Sequence, residues 1–366
     1  MRTTLFSRRP PKAVALAALL AILLAGCSAT QDSRSGGQGA VLSSAKVLED
    51  PKSHVGPSTA LLSRPALDPV AKNPASSLPA TVTDAQGTKV TISDTSRILP
   101  IDLYGTSSRI VFDLGLGRNV VGRDVSSDFD EIKDLPLVTH NGHELNAEAI
   151  LELAPSVIIT DSSLGPWDVV LQMREAGIPV FVVDSHRSLE NSQEMIKQIA
   201  NALGVPDQGA ALAKRTDEQV KSMTEQIAAI APKGDDRLRM LFLYARGQSG
   251  VYYLFGEGSG ADSLISSLGG IDVASEIGWK GMRPMTDEAL VEAAPDLVIM
   301  MTSGLESAGG VEGIMTSVPA LAHTPAGTKN RIVDMADSEV LSFGPNSAAI
   351  LEALSVAVYA PGSEAN

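Results

Sequence analysis

Tyr244 and Arg246 stand two apart at the end of the apolar run RMLFLY, in the stretch Tyr244-Ala245-Arg246-Gly247. In an extended chain that spacing puts both side chains on one side. A phenol ordinarily ionises near pH 10, and Fe(III) binds phenolate rather than phenol. A neighbouring guanidinium favours the anion through charge attraction and a charge-assisted hydrogen bond. The pair is therefore suited to holding a hard, oxidised metal centre; read alone, it also fits a packed ring beside a solvated arginine. A second group of candidates lies in THNGHELNAE, where His140 and His143 flank a Gly/Asn turn. A neutral imidazole ligates iron without burying a charge. Two histidines this close also suit a weak divalent-metal site, or simply the surface. Further ligands for zinc or manganese do not gather around them, since His54, His186 and His323 fall in unrelated places.

Other residues suit a flat, partly apolar ligand. Met300 and Met301 end DLVIMM and offer polarizable surface or core packing. Trp167, Tyr252 and Tyr253 are aromatic candidates, although GVYYLFG reads first as a hairpin strand. GEGSGADS opens a helix and offers backbone amides to an anion.

The elements that must position these groups are duplicated. LNAEAILELAPSVIITD at 145–161 returns as MTDEALVEAAPDLVIMM at 285–301, with Glu148 answering to Glu288 at a constant offset (288 − 148 = 140). Asn146 and Thr286 stand at candidate N-caps, and a first-turn glutamate is favoured by the helix dipole. Around these copies, short apolar runs alternate with amphipathic helices, the pattern of α/β layers on a largely parallel sheet. TVTDAQGTKVTIS predicts a β-hairpin about Ala85-Gln86-Gly87. One segment differs: from Pro206 to Ala231 a single helix is predicted, with Leu212, Val220, Met223, Ile227 and Ile230 mostly on one face and Pro232 as its stop. The sequence therefore predicts an α/β chain of two Rossmann-like lobes joined by one long helix. The expected boundaries are 78–205, 206–232 and 233–362. So long a strut implies small, stiff motion of the lobes.

Ahead of this, Arg2, Arg8, Arg9 and Lys12 precede a short apolar run ending Leu24-Ala25-Gly26-Cys27. The run is too short to span a bilayer and reads as an export signal. Its end resembles the lipobox of bacterial lipoproteins, which implies cleavage before Cys27 and lipidation of its thiol. Cys27 is the only cysteine, so structural disulfides and cysteine-based metal centres are excluded. Residues 28–77, rich in Ser, Ala, Pro and Gly, are expected to be a flexible tether with a reach of ~40 Å. The net charge of −14 argues against a nucleic-acid partner.

Two α/β lobes on one long helix, in a lipidated exported chain, resemble the substrate-binding proteins of ABC importers for iron complexes and cobalamin. YARGQSGVYYLFGEGSGADSLISSLGG and TSGLESAGGVEGI are most similar to the haem-binding branch. The resemblance covers residues 78–362 and implies a non-enzymatic carrier of ferric haem b, bound without a covalent bond in a cleft between the lobes. It implies Tyr244 as one iron ligand and, from the GHELNAE context, His143 rather than His140 as the other, with Arg246 and Met301 in the pocket. It further implies that Glu148 and Glu288 dock on the two subunits of a permease with its ATPase. A lipobox on an Ala-rich, cysteine-poor chain fits the outer face of a Gram-positive cell membrane; a monomer is expected, with surface haem-scavenging proteins as upstream partners. A ferric siderophore or cobalamin is the alternative cargo, and a surface haem relay a further alternative. An enzyme is disfavoured: the chain has no dinucleotide fingerprint, P-loop or GxSxG elbow.

Overall fold

The computed structural model describes residues 39–63 and 67–363. Strands Ile98–Pro100, Val157–Thr160 and Val180–Val182 form a parallel sheet with Val157–Thr160 at its centre. All three strands are buried along their length, as a sheet covered on both faces requires. Ile98, Val157, Ile159 and Phe181 pack on one side with helices Thr106–Asp113 and Ser192–Ala202. Leu99, Ile158, Val180 and Val182 pack on the other with helix Trp167–Glu175. The hairpin Ala80–Thr83/Lys89–Ile92 forms as expected, and its turn is tied by Asp84 Oδ1, which accepts from the Gln86 and Thr88 amides.

The second lobe holds a seven-stranded sheet among the described residues. Ser58–Ala60, Ile332–Met335, Leu297–Met301 and Arg239–Arg246 run parallel in that order. Val251–Phe255 and Met282–Pro284 then extend it with antiparallel pairings, and Ile271–Asp272 pairs with the start of Arg239–Arg246. Met240, Phe242, Ile299 and Val333 face the terminal helix Ser347–Tyr359, while Leu241, Leu243, Val298 and Met300 face the opposite layer.

Between the lobes runs Pro206–Ile230, a helix of 25 residues and about 37 Å. Pro206 occupies its first turn, where a missing N–H is tolerated. Leu212 and Ala213 are buried in the first lobe's core and Ile227 in the second's. Gly209 lets the helix lie close on Ser192–Ala202, since a Cβ there would meet that of Ala200 at 2.3 Å.

One expectation is corrected. The described part of 28–77 is not a free tether. Ser58–Ala60 pairs in parallel with Ile332–Met335 at the sheet edge. Leu42 is buried beside the terminal helix, its amide donating to Glu352, and the Leu48 amide donates to the Tyr359 carbonyl at 2.8 Å. Farther on, the Val70 and Ser77 amides donate to the Asp113 and Gly204 carbonyls of the first lobe. The second lobe thus takes its edge strand from residues that precede the first. A strand of three residues carries too little periodicity to register in a Ser/Pro-rich composition. Residues 28–38, and Cys27 with the signal segment, lie outside the described residues.

Candidate functional site

Arg239–Arg246 ends at the carboxyl edge of its sheet, where open α/β folds bind ligands. Met240, Phe242 and Tyr244 share the face toward the terminal helix. Tyr244 pairs across the ladder with Tyr253, and Phe242 with Phe255, so the Tyr244 ring is held 6.3 Å and 6.4 Å from the Tyr253 and Phe255 rings, centre to centre. The Tyr244 hydroxyl accepts a hydrogen bond from Arg246 Nε, as the two-residue spacing requires. Tyr244 is half-buried and Arg246 exposed. Gly247 admits the turn that follows: a Cβ there would lie 2.3 Å from the backbone of Ala308, and its amide donates to Ser307 Oγ. Met301 is partly exposed at the fringe of the same cluster as Tyr244, whereas Met300 is wholly buried on the opposite face.

The facing group comes from the first lobe. Thr139–His140 pairs antiparallel with Glu144–Leu145, and the turn between them uses positive φ at Asn141 and Gly142, the residues best able to adopt it. The register separates the two histidines. His140 sits opposite Glu144 and places Nε2 3.4 Å from its carboxylate, exposed to solvent. His143 lies in the turn, half-buried, with Nδ1 buried and lacking a hydrogen-bond partner. Burial lowers its pKa below the usual 6.5; the Arg246 charge lowers it further, and Asp337 acts oppositely. The imidazole is therefore neutral at neutral pH. His143, Arg246, His140 and Ser163 line one cleft of about 570 Å³, within the range of small-molecule sites. Arg246 thus joins the two lobes' contributions: it bonds Tyr244 on one side and shares the cleft with His143 on the other.

Beneath the cleft lies a buried charge network that the sequence reading missed. Arg187 Nη2 is 2.5 Å from Asp161 Oδ2 and 3.8 Å from Asp102 Oδ2, with its guanidinium 5.5 Å from the centre of the Tyr104 ring. Asp102 accepts from the Tyr104, Thr106 and Ser107 amides. Asp161 holds Ser163, whose hydroxyl accepts from the Leu103 amide, and so fixes the cleft wall. The available signal was an aspartate after each apolar run of this lobe: Asp102, Asp161 and Asp184. Burial, reinforced by Asp102, pushes the Asp124 carboxyl up to about 7. Between about pH 4 and pH 7 the unfolded residue is ionised while the folded one keeps its proton, so stability falls as pH rises through that window. Asp124→Asn removes this dependence. From pH 5 to pH 7, unfolding free energies should shift by about 2 kcal/mol in the variant's favour relative to the parent, as measured by denaturant titration at each pH. An unchanged difference would rule the carboxyl out as the source.

The remaining candidates separate cleanly. Glu148 and Glu288 are exposed in the first turns of helices Ala147–Glu152 and Asp287–Ala293. Asn146 and Thr286 cap these helices, accepting from the Ala149 and Ala289 amides at 3.1 Å and 3.2 Å. The repetition reaches the backbone, since Ala154 and Ala294 both take positive φ, 44° and 42°. Trp167 packs in its own lobe beside Arg174, and Tyr252 turns to the layer opposite Tyr253. The GEGSGADS loop differs from expectation. Its Gly258 and Gly260 amides already donate to Asp262, leaving them engaged rather than open to an anion.

Two α/β lobes on one helix, with a partnerless imidazole and a tyrosine-bonded arginine lining a cleft, define a two-lobe ligand-binding protein. The pattern described as periplasmic binding protein matches residues 101–339, and the chain belongs to that family. It is a substrate-binding protein, not an enzyme. The crystal structure of the haem-binding protein HmuT is 40% identical with a TM-score of 0.80, covering 85% of this chain and 99% of that one. Structures of HmuT variants in which one tyrosine, one arginine or one histidine is replaced by alanine match equally well. The apo form of the periplasmic haem-binding protein RhuT from Roseiflexus sp. RS-1 is 34% identical with a TM-score of 0.66, over 73% of this chain and 98% of its own. The ABC transporter substrate-binding lipoprotein YvrC of Bacillus subtilis (strain 168) is 25% identical over 304 residues, 80% of this chain and 89% of YvrC.

Proposed function

We propose that this chain is the substrate-binding component of an ABC importer that captures ferric haem outside the cell and presents it to a permease with its ATPase. Haem b is the cargo, held without a covalent bond, with Tyr244 and His143 as axial ligands from opposite lobes. The observation that carries this reading is the Tyr244–Arg246 pair at a cleft shared with the half-buried, partnerless His143. A phenolate is a hard donor suited to Fe(III), and tyrosine and histidine both serve as haem ligands. The similar HmuT structures support the reading, since their altered tyrosine and arginine are also two residues apart. Met301 supplies polarizable surface beside Tyr244. Lipidation of Cys27 anchors the protein, as a monomer, to the outer face of a Gram-positive membrane, with two acyl chains giving stable attachment. Surface haem-scavenging proteins are the upstream donors.

Titrating the apoprotein with haemin tests the proposal. The Soret band should saturate at about one equivalent, the stoichiometry of one porphyrin between one ligand pair; a change that never saturates refutes haem as cargo. The acid limb tests His143. Because its pKa lies below 6.5, the histidine-ligated spectrum should persist as pH falls through 6.5 and be lost only at lower pH. In His143→Ala that acid transition should be missing.

A further inference from the structure

Eight large apolar side chains are exposed among the described residues, and only Leu151 and Val291 stand in the repeat spacing of 140 residues (291 − 151 = 140). They are 46% and 52% exposed. Each lies three residues after a docking glutamate and directly before a second exposed glutamate: Glu148, Leu151 and Glu152 on one helix, Glu288, Val291 and Glu292 on the other. Residues three and four apart share a helix face, so on each lobe the first glutamate neighbours both the aliphatic side chain and the second glutamate, and the aliphatic side chain borders a pair of carboxylates. Folding does not require it. The inward faces are already supplied by Ile150 and Leu290, both buried, and valine is a weaker helix former than alanine.

From this duplicated arrangement we infer that Leu151 and Val291 are a matched pair of apolar contacts for the permease, each seating in a pocket beside a cation on one of two equivalent subunits. The inference rests on the docking reading of Glu148 and Glu288 and adds the apolar half of that interface. The four glutamates select the occupant. They repel a second copy of this chain and an anionic bilayer surface alike, while a cationic, partly apolar surface present twice complements both lobes.

The test measures binding of the haem-loaded protein to its cell's permease–ATPase complex in nanodiscs. Leu151→Ser and Val291→Ser should each weaken binding about five- to tenfold, and the double variant by about the product. Leu151→Met with Val291→Ile should keep parental affinity, which separates an apolar contact from helix stability. Haemin titrations should be unchanged throughout. If the double serine variant binds like the parent while Glu148→Ala/Glu288→Ala binds weakly, the inference fails and the docking reading stands. If neither pair changes binding, both fail. Binding to empty nanodiscs, or a dimer in sedimentation that the serine changes dissolve, would assign these residues to a different partner and overturn the inference.

Discussion

Tyr244→Phe should bind haemin at least ~100-fold more weakly than the parent, a loss of about 2.7 kcal/mol, and should lose the phenolate-to-iron absorption. The phenylalanine keeps the ring in its place beside Tyr253 and Phe255, so the change isolates one oxygen. Removing an oxygen from a half-buried ring on a strand end should leave the melting temperature nearly unchanged. Arg246→Ala should give a smaller loss, about tenfold, because under the proposed ligation the iron would keep its anionic ligand and lose only the donor beside it. The two variants together should resemble Tyr244→Phe alone, since the arginine acts through the tyrosine. Absorption titration with haemin measures all three. Parental affinity and spectrum in Tyr244→Phe would remove Tyr244 from the ligand set and leave Arg246 and His143 with a different cargo.

What the sequence disclosed about this site depended on whether parity along a strand was sufficient. Tyr244 and Arg246 were legible as a pair because a strand's side chains alternate, and the hydrogen bond between them realises that geometry. The same alternation separates Met300 from Met301, but only once the strand's end is known; until then core and cleft were equal readings. His140 and His143 were harder still. Which one is free depends on a hairpin register that pairs His140 with Glu144, and a slip of one residue would exchange their surroundings. The long helix was plain from its proline boundaries and apolar spacing, and its burial in both cores supplies the strut.

Other features required partners distant in sequence. Arg187 joins aspartates that follow separate strands, and no local pattern states that one cation will serve them. The edge strand Ser58–Ala60 pairs with Ile332–Met335, across most of the chain. Its three residues gain their order from the ladder they join. The consequence is mechanical as well as architectural: residues expected to hang free are bonded to both lobes before the first lobe's own hairpin begins.

Reversing the two charges proposed to dock on the permease, Glu148→Arg with Glu288→Arg, should abolish haem uptake into vesicles carrying the permease and its ATPase, with haemin affinity unchanged. Each single reversal should reduce uptake about tenfold or more, and the double at least ~100-fold, because each replaces a favourable charge pair at an interface with a repulsive one. The change is tolerable to the fold. Both side chains are exposed, and the caps from Asn146 and Thr286 remain, so each helix only exchanges a favourable dipole contact for an unfavourable one, each ~0.3–1 kcal/mol. Raising salt should weaken docking of the parent and spare an alanine pair, since a charge contact at an exposed tip is screened within about 10 Å at 0.1 M. Vesicle uptake of haemin with each variant distinguishes docking from local helix chemistry. If the double reversal imports at the parental rate, the repeated glutamate serves only the helix termini on which it stands, and the two-fold match between lobes and permease loses its chemical basis.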